Sequence, residues 1–358
     1  MKLLFAPDSF GGTWSAPEVA ERFEASMARH GAFVDTHPMS DGGEGLLDAL
    51  MSHGTIELHG FEVNGPEEQS VFASAGRRNG AWWIESAEAI GLQHCTDAYS
   101  TQQRSSGGLG ELIRRTSVRH RSPTVIGLGG SGTVDGGVGM LLALGVVATD
   151  DPGRIVHDGE PNGSIHRIRR LHGKINPEVG LLKILCDVQT TIEHAACVFG
   201  PQKGMTPEEI PAMTDALRRW TDVLNDWRIE HNQPPIHPLM PGGGAAGGLG
   251  FALAAMGGVL AEGGPQMARV TGLKTAIQDS DAVIIGEGQL DASSMEGKAT
   301  GTVLGLAAGM DKPVYALVGR ATHDCGIEPG RISEINGTSP DQFDAAVDRL
   351  WAAIESIE

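Results

Sequence analysis

Residues 124–145 read TVIGLGGSGTVDGGVGMLLALG, and the architecture can be worked out from this stretch outward. Thr124 to Leu128 is a short apolar run that predicts a buried strand. Val138 to Leu144 predicts a helix. Between them stand Gly129, Gly130, Gly132, Gly136 and Gly137, with Ser131, Thr133 and Asp135 among them. A glycine-dense turn from strand to helix lets backbone amides approach a ligand with no Cβ in the way. The helix start adds partial positive charge. Such a turn suits a phosphate.

The same grammar recurs along the chain. Lys2 to Ala6 predicts a continuous apolar strand followed by Pro7, Asp8 and Ser9. Phe33 to Met39 predicts another, followed by Asp41, Gly42, Gly43, Glu44 and Gly45. Leu182 to Val188 ends in Cys186, Asp187 and Val188. Asp281 to Gly286 ends in Glu287, Gly288, Gln289, Leu290 and Asp291. Ser15-Ala16-Pro17-Glu18, Thr206-Pro207-Glu208-Glu209 and Ser339-Pro340-Asp341-Gln342 are capping boxes with proline in the first turn, so a helix is expected after each. Ile210, Met213, Leu217, Trp220, Leu224 and Trp227 form an amphipathic stripe, and its tryptophans read as core. Gly242, Gly243 and Gly244 open a further glycine-rich helix, and Lys298 starts another. Residues 55–80 alternate and predict antiparallel strands, 150–180 carry no clear period, and the proline-rich loop from Asn232 to Pro241 reads as a hinge.

Strands alternating with helices at both chain ends imply an α/β fold with a parallel, doubly wound sheet. Ligands bind such sheets at the carboxyl ends of the strands, so the loops after Ala6, Met39, Leu128, Val188 and Ile285 are expected to converge on one crevice.

Composition narrows the function. The chain has 358 residues, which favours two domains, and 51 of them are glycine, about twice ordinary usage. Net charge is −18, from 27 Lys+Arg against 45 Asp+Glu. No basic stripe is present, which argues against nucleic acid as a partner. Cys95, Cys186, Cys197 and Cys325 are scattered and suggest neither a disulfide scaffold nor a zinc site. No signal peptide or membrane span is read, so a cytoplasmic protein is expected.

Gly127-Leu128-Gly129-Gly130-Ser131-Gly132 matches GxGxxG, with Asp150 near the place of a ribose-binding acid, so an NAD(P)-dependent oxidoreductase is one alternative. Against it, Thr133 to Gly137 intervene before the helix. There is no Walker motif, no protein-kinase signature, no HExxH and no GxSxG. Phosphoryl transfer needs carboxylates for Mg²⁺ and for the alcohol proton, and cations for the moving phosphoryl. Acids stand at the predicted strand ends (Asp8, Asp41, Glu44, Asp135, Asp187, Glu287, Asp291). Lys203 and Lys298 lie in glycine loops beside helix starts.

At these residues the chain resembles the bacterial glycerate kinases of the non-Walker, two-domain type. The resemblance runs through APDSFGGTWSAPE (6–18), SDGGEG (40–45), IGLGGSGTVDGG (126–137), CDVQTT (186–191), VFGPQKG (198–204), GGGAAGGLGFAL (242–253) and IIGEGQLDASSMEGKATG (284–301). It implies a flavodoxin-like, Rossmann-like parallel-sheet domain formed by both chain ends, 1–60 plus 275–358, with a second α/β domain inserted, 61–274. The active site is expected in the cleft between them. It also implies ATP- and Mg²⁺-dependent phosphorylation of D-glycerate, commonly at the 2-hydroxyl. Gly11, Val134 and Gln289 stand where the family often has Lys, Asn and Arg, which leaves room for a related short hydroxy acid, or for a ligand-binding relative without catalysis.

The expected roles follow. Asp187 is the general base, and Lys203 and Lys298 stabilise the transferring phosphoryl. Asp135 and Asp291 are the metal candidates, with Asp8 in the same pool. Asp8, Ser9, Asp41, Glu44 and Glu287, with Gly130, Ser131, Gly243 and Gly244, are expected to line the substrate and phosphates. The glycine loops 129–137 and 242–248 are expected to supply backbone donors.

Overall fold

The computed structural model describes residues 1–117, 122–160, 164–174, 179–295, 298–322 and 325–356. It divides into two compact units, Met1–Ile56 with Glu262–Glu358, and Glu57–Ala261. The joins fall near the expected residues 60 and 275. The second is thirteen residues earlier, because two helices there pack with the unit built from the chain ends.

In chain order the first unit opens with β1 (Lys2–Pro7), α1 (Ala16–Met27), β2 (Phe33–Thr36) and α2 (Leu46–Ser52). The inserted unit follows with β3 (Glu57–Asn64), β4 (Ser70–Arg78), β5 (Ala81–Glu85), α3 (Ser86–Ile90), α4 (Gly107–Ser117), β6 (Thr124–Gly127) and α5 (Val138–Ala143). It continues with β7 (Val147–Thr149), β8 (Ile155–Val156), α6 (Ser164–Arg167), β9 (Arg170–His172), β10 (Leu182–Leu185), α7 (Ala195–Phe199), α8 (Ile210–Glu230), α9 (Ala245–Ala255) and β11 (Val259–Ala261). The first unit resumes with α10 (Gly263–Thr271), α11 (Leu273–Gln278), β12 (Ala282–Leu290), α12 (Ala299–Ala308), β13 (Val314–Ala321), β14 (Ile332–Glu334) and α13 (Pro340–Glu355).

The first unit is a five-stranded parallel sheet ordered β14-β13-β12-β1-β2. Counted within the unit, that is 2-1-3-4-5, the doubly wound order whose switch point lies between the first and third strands, here β1 and β12. Leu3, Phe5, Ala282, Ile284, Tyr315 and Leu317 turn one way, onto Phe23 and Met27 of α1 and Phe343 and Val347 of α13. Leu4, Ala6, Val283 and Ile285 alternate to the opposite face and are buried there too, which is why these strands read as unbroken apolar runs. The capping boxes at Ser15 and Ser339 both form in full.

The inserted unit has a six-stranded sheet, β11-β10-β6-β5-β4-β3, in which only β4 runs antiparallel to its neighbours β3 and β5. A small antiparallel sheet, β8-β7-β9, occupies the stretch that showed no period. The stripe on α8 is core: Met213, Leu217, Trp220, Leu224 and Trp227 are all buried.

The loops after Ala6, Met39 and Ile285 lie in the first unit, and those after Leu128 and Val188 in the second. Several local expectations need correcting. Glu287 to Leu290 are not a loop but the last half of β12, held by pairing with Val318, Arg320 and Ala321. The box at Thr206 is only half made. Glu209 accepts from the Thr206 amide at 2.8 Å, but α8 starts at Ile210 with no side-chain cap. Ala246, Gly247 and Gly248 take positive φ, so the glycine run there is a left-handed path before the helix proper. The loop read as a hinge is pinned inside the inserted unit. Asn225 exchanges hydrogen bonds with the backbone of Ile236 at 2.9 and 2.8 Å, and Arg228 donates to Pro234 O at 2.8 Å.

Candidate active site

At the carboxyl ends of β1 and β12, the switch point of the first sheet, an acidic group gathers around one lysine. Asp8 follows β1, and its amide donates to Gly286 O at 2.8 Å, tying the strand ends together. Gly286 permits this closeness, since a Cβ there would stand 2.9 Å from both the Phe5 ring and Pro7. Beside β1, the Met39 amide donates to Pro7 O at 2.8 Å, which sets the loop carrying Asp41. Asp41 Oδ1 accepts from the Gly43 amide at 2.9 Å. Gly263, the first residue of α10, packs its bare Cα directly on the Asp41 carbonyl, where no side chain would fit.

The electrostatics show that these acids sense one another. Loss of water and then the charge of Asp41 push the Asp8 carboxyl well above the usual carboxylate range. Glu287 adds to the rise, while the Ser9 amide and Lys298 oppose it. Glu287 is itself buried and raised, first by desolvation. Ser294, Lys298 and Thr300 hold it down in part, and Asp291 pushes it up. Its Oε2 is a buried polar atom without a partner among the described residues. Lys298 is the N-cap residue of α12, so an ammonium and a helix start share one place.

This pole brings together Asp8, Asp41, Glu287, Asp291 and Lys298 of the expected residues. Asp291 Oδ2 accepts from Gln289 Nε2 at 2.9 Å. Ser9 and Glu44 are exposed on the same loops. Excess negative charge with an orphaned carboxylate oxygen fits a divalent cation. Among the described residues no three His, Cys, Asp or Glu are arranged to hold a metal ion. A cation here would take one or two carboxylates and complete its shell with phosphate and water, as Mg²⁺ does.

The inserted unit looks different from its sequence. Asp135 is a sealed structural carboxylate. Its oxygens accept from the Ser106 amide at 3.0 Å, the Ser106 hydroxyl at 2.7 Å, and the Gly137 and Gly139 amides at 3.0 Å each. It joins the starts of α4 and α5, with three of these bonds on Oδ2 and one on Oδ1. The same bonds remove the dinucleotide alternative, because the helix start that a pyrophosphate would need already holds Asp135. Gly132 is equally closed, since a Cβ there would stand 2.2 Å from Cys95 Sγ.

The glycine runs 129–137 and 242–248 pack on each other where Thr133 to Gly136 meet Gly247 and Gly248. A Cβ at Gly247 would lie 2.2 Å from Thr133 O, and one at Gly248 would lie 2.8 Å from the Gly136 Cα. The Gly136 amide donates to Gly247 O, the Gly243 amide to Met240 O and the Gly244 amide to Thr190 O. Trp220 closes the seam by donating to Gly136 O at 2.8 Å. Val134 is fully buried in this core, so its apolar side chain suits its place. Of the turn, Gly130 reaches the surface while Ser131 is buried.

Lys203 is not a solvated charge. It is buried, and its Nζ donates to Ser131 Oγ at 3.0 Å and Thr133 O at 2.8 Å. Burial pulls its pKa down to about 7, against the opposing pull of Asp135. Arg104, buried with Glu67 at 3.1 Å, donates to the Lys203 carbonyl at 2.7 Å. Nothing in the local sequence signals Arg104 or Glu67, because their partners are far along the chain. Asp187 is half-buried just beyond β10.

Comparison with known proteins settles the family. The model of the Glycerate kinase family matches residues 3–342. The chain belongs to the glycerate kinase family. It is 32% identical over 345 residues to Glycerate 2-kinase of Escherichia coli (strain K12), covering 91% of this chain and 87% of that protein. It is 33% identical over 340 residues to Glycerate kinase of Haemophilus influenzae, covering 90% and 87%. A crystal structure assigned to glycerate kinase 2 of Salmonella typhimurium LT2 superposes with a TM-score of 0.77 at 30% identity, covering 100% of this chain and 97% of that one. The chain is thus an enzyme of a kinase family, and no helix among its described residues is long and apolar enough to cross a membrane.

Proposed function

We propose that the protein transfers the γ-phosphoryl group of ATP to D-glycerate, at the 2-hydroxyl, in a Mg²⁺-dependent reaction in the cytoplasm. The observation that carries this reading is the pair of raised carboxyls, Asp8 and Glu287, beside Asp41 and Lys298 at the switch point of the parallel sheet. Perturbed acids beside a cation at a sheet's ligand edge are the signature of a working site. The name of the Escherichia coli relative supports the 2-position.

Lys298 and the start of α12 hold the transferring phosphoryl. Asp8 and Glu287 would hold Mg²⁺ together with the nucleotide's own oxygens, and Asp291 adds charge beside them. Bound there, Mg²⁺ neutralises charge building on the phosphates. Burial, and then the charge of Asp41, keep the Asp8 carboxyl in its raised state. Asp187 is the acceptor of the alcohol proton, which its place directly after the buried β10 supports. Lys203 acts one step removed, fixing Ser131 and Thr133.

Purified protein incubated with ATP, Mg²⁺ and D-glycerate should form ADP only when glycerate is present, and phosphorus NMR should show 2-phosphoglycerate. No turnover with glycerate or with a panel of short 2-hydroxy acids would sink this reading. 3-Phosphoglycerate as the product would overturn the regiochemistry alone.

A further inference from the structure

A second cavity lies along the same edge of the first unit's sheet, beyond the acidic pole. It has a volume of about 390 Å³ and opens at the carboxyl ends of β13 and β14. Its apolar walls are Ala321, Ile327, Pro329 and Ile332, and its polar groups include Glu334 and Arg349. We propose that this cavity takes the nucleoside part of ATP, with the phosphates running back along the sheet edge to Lys298. The inference rests on the kinase reading and adds to it the place of the donor's base and sugar.

Position comes first. The Thr322 amide, at the lip, donates to Leu290 O at 2.9 Å, so the cavity begins one residue from Asp291 on the neighbouring strand. Size agrees, since small-ligand pockets run from roughly 300 to 1,000 Å³ and this one suits a nucleoside more than a whole triphosphate.

Polarity decides the ligand class. Arg349 is the one cation among the described lining residues, and it donates to the Glu334 carbonyl at 2.7 Å. Glu334 is fixed in turn, accepting from the Ala321 amide at 2.8 Å, which leaves its carboxylate as an acceptor for sugar hydroxyls at the end of β14. Apolar walls beside a fixed acid fit a heterocycle carrying a sugar. Cys325, buried in the lining, is a free thiol and serves as a reporter.

The test fills the cavity from its exposed lip with Thr322→Trp and, separately, Asn336→Trp. Both should raise the KM for ATP and weaken ADP binding in calorimetry by about tenfold or more, with the KM for D-glycerate held. Inhibition by inorganic tripolyphosphate, which has no nucleoside, should be the same in wild type and variants. In the wild type, ADP should slow alkylation of Cys325 while leaving the exposed Cys197 unprotected, a readout that needs no variant. If the wild type turns over but ATP KM, ADP affinity and Cys325 alkylation do not move, the cavity proposal is overturned alone. If the wild type shows no glycerate-dependent turnover yet ADP protects Cys325 and binds less tightly to Thr322→Trp, the kinase reading falls and the nucleoside site stands.

Discussion

The ammonium of Lys203 donates to the carbonyl oxygen of Thr133 over 2.8 Å, inside the core of the inserted unit. One of the two lysines expected to stabilise the phosphoryl is thus a tie rod for the glycine turn. With its pKa at about 7 against an ordinary 10.5, the folded protein has released a proton that the unfolded chain still carries between those values. Stability therefore rises with pH across that window. Relative to Lys203→Met, the wild type should gain up to about 1.4 kcal/mol per pH unit from pH 7 to 8.5. Urea denaturation at three pH values measures the slope, and parallel curves would show an ordinary, solvated lysine.

Asp135→Asn separates a structural carboxylate from a metal ligand. The amide would point donors at donors in a group that now accepts four hydrogen bonds. A loss of about 3 kcal/mol in unfolding free energy is expected. A metal ligand would instead raise the Mg²⁺ requirement of turnover and leave the urea midpoint in place.

The contact between the glycine runs is tested by two alanines. Gly247→Ala places a Cβ 2.2 Å from Thr133 O at a φ of +72°, whereas Gly257→Ala, at +93°, meets nothing within 4 Å. The first should cost roughly 3 kcal/mol or more, from overpacking added to left-handed strain, and the second only about 1–2 kcal/mol. Equal losses would show that packing at the seam contributes nothing.

Acid should weaken the first unit at one place. The His37 and His53 rings lie 4.1 Å apart, and burial, then His53, lowers His37 to about 3 from 6.5. Below pH 6.5 the unfolded chain takes up a proton that the folded one refuses, so this contribution fades as pH falls toward 3. His37→Gln, which can keep a bond to Thr271, should lessen the stability lost between pH 6.5 and 5 by about 2 kcal/mol. An unchanged loss would assign the acid sensitivity to other groups.

What the sequence made legible was local or periodic. Ser15 and Ser339 cap their helices because the whole box lies within four residues. The apolar runs of β1, β12 and β13 announce a sheet covered on both faces. Glycines were harder, since the same residue serves a ligand or a close backbone contact. Gly132 and Gly247 proved to serve contacts whose partners, Cys95 and Thr133, are distant in sequence. The bonds of Asp135 were hidden for the same reason, because Ser106, which supplies two of its donors, stands 29 residues away. Glu287 was placed in a loop because glycines flank it, yet parallel pairing with β13 carries the strand past them. The acids of the switch point were legible as a set, since strand order brings the ends of β1 and β12 together.

The central claim is that the Asp8–Glu287–Lys298 pole performs the transfer. Its most direct test is glycerate-dependent ADP formation by Lys298→Met, with urea unfolding as the control. The account predicts a loss in kcat of about a hundredfold or more with the unfolding midpoint unchanged. Wild-type kcat in Lys298→Met would contradict it.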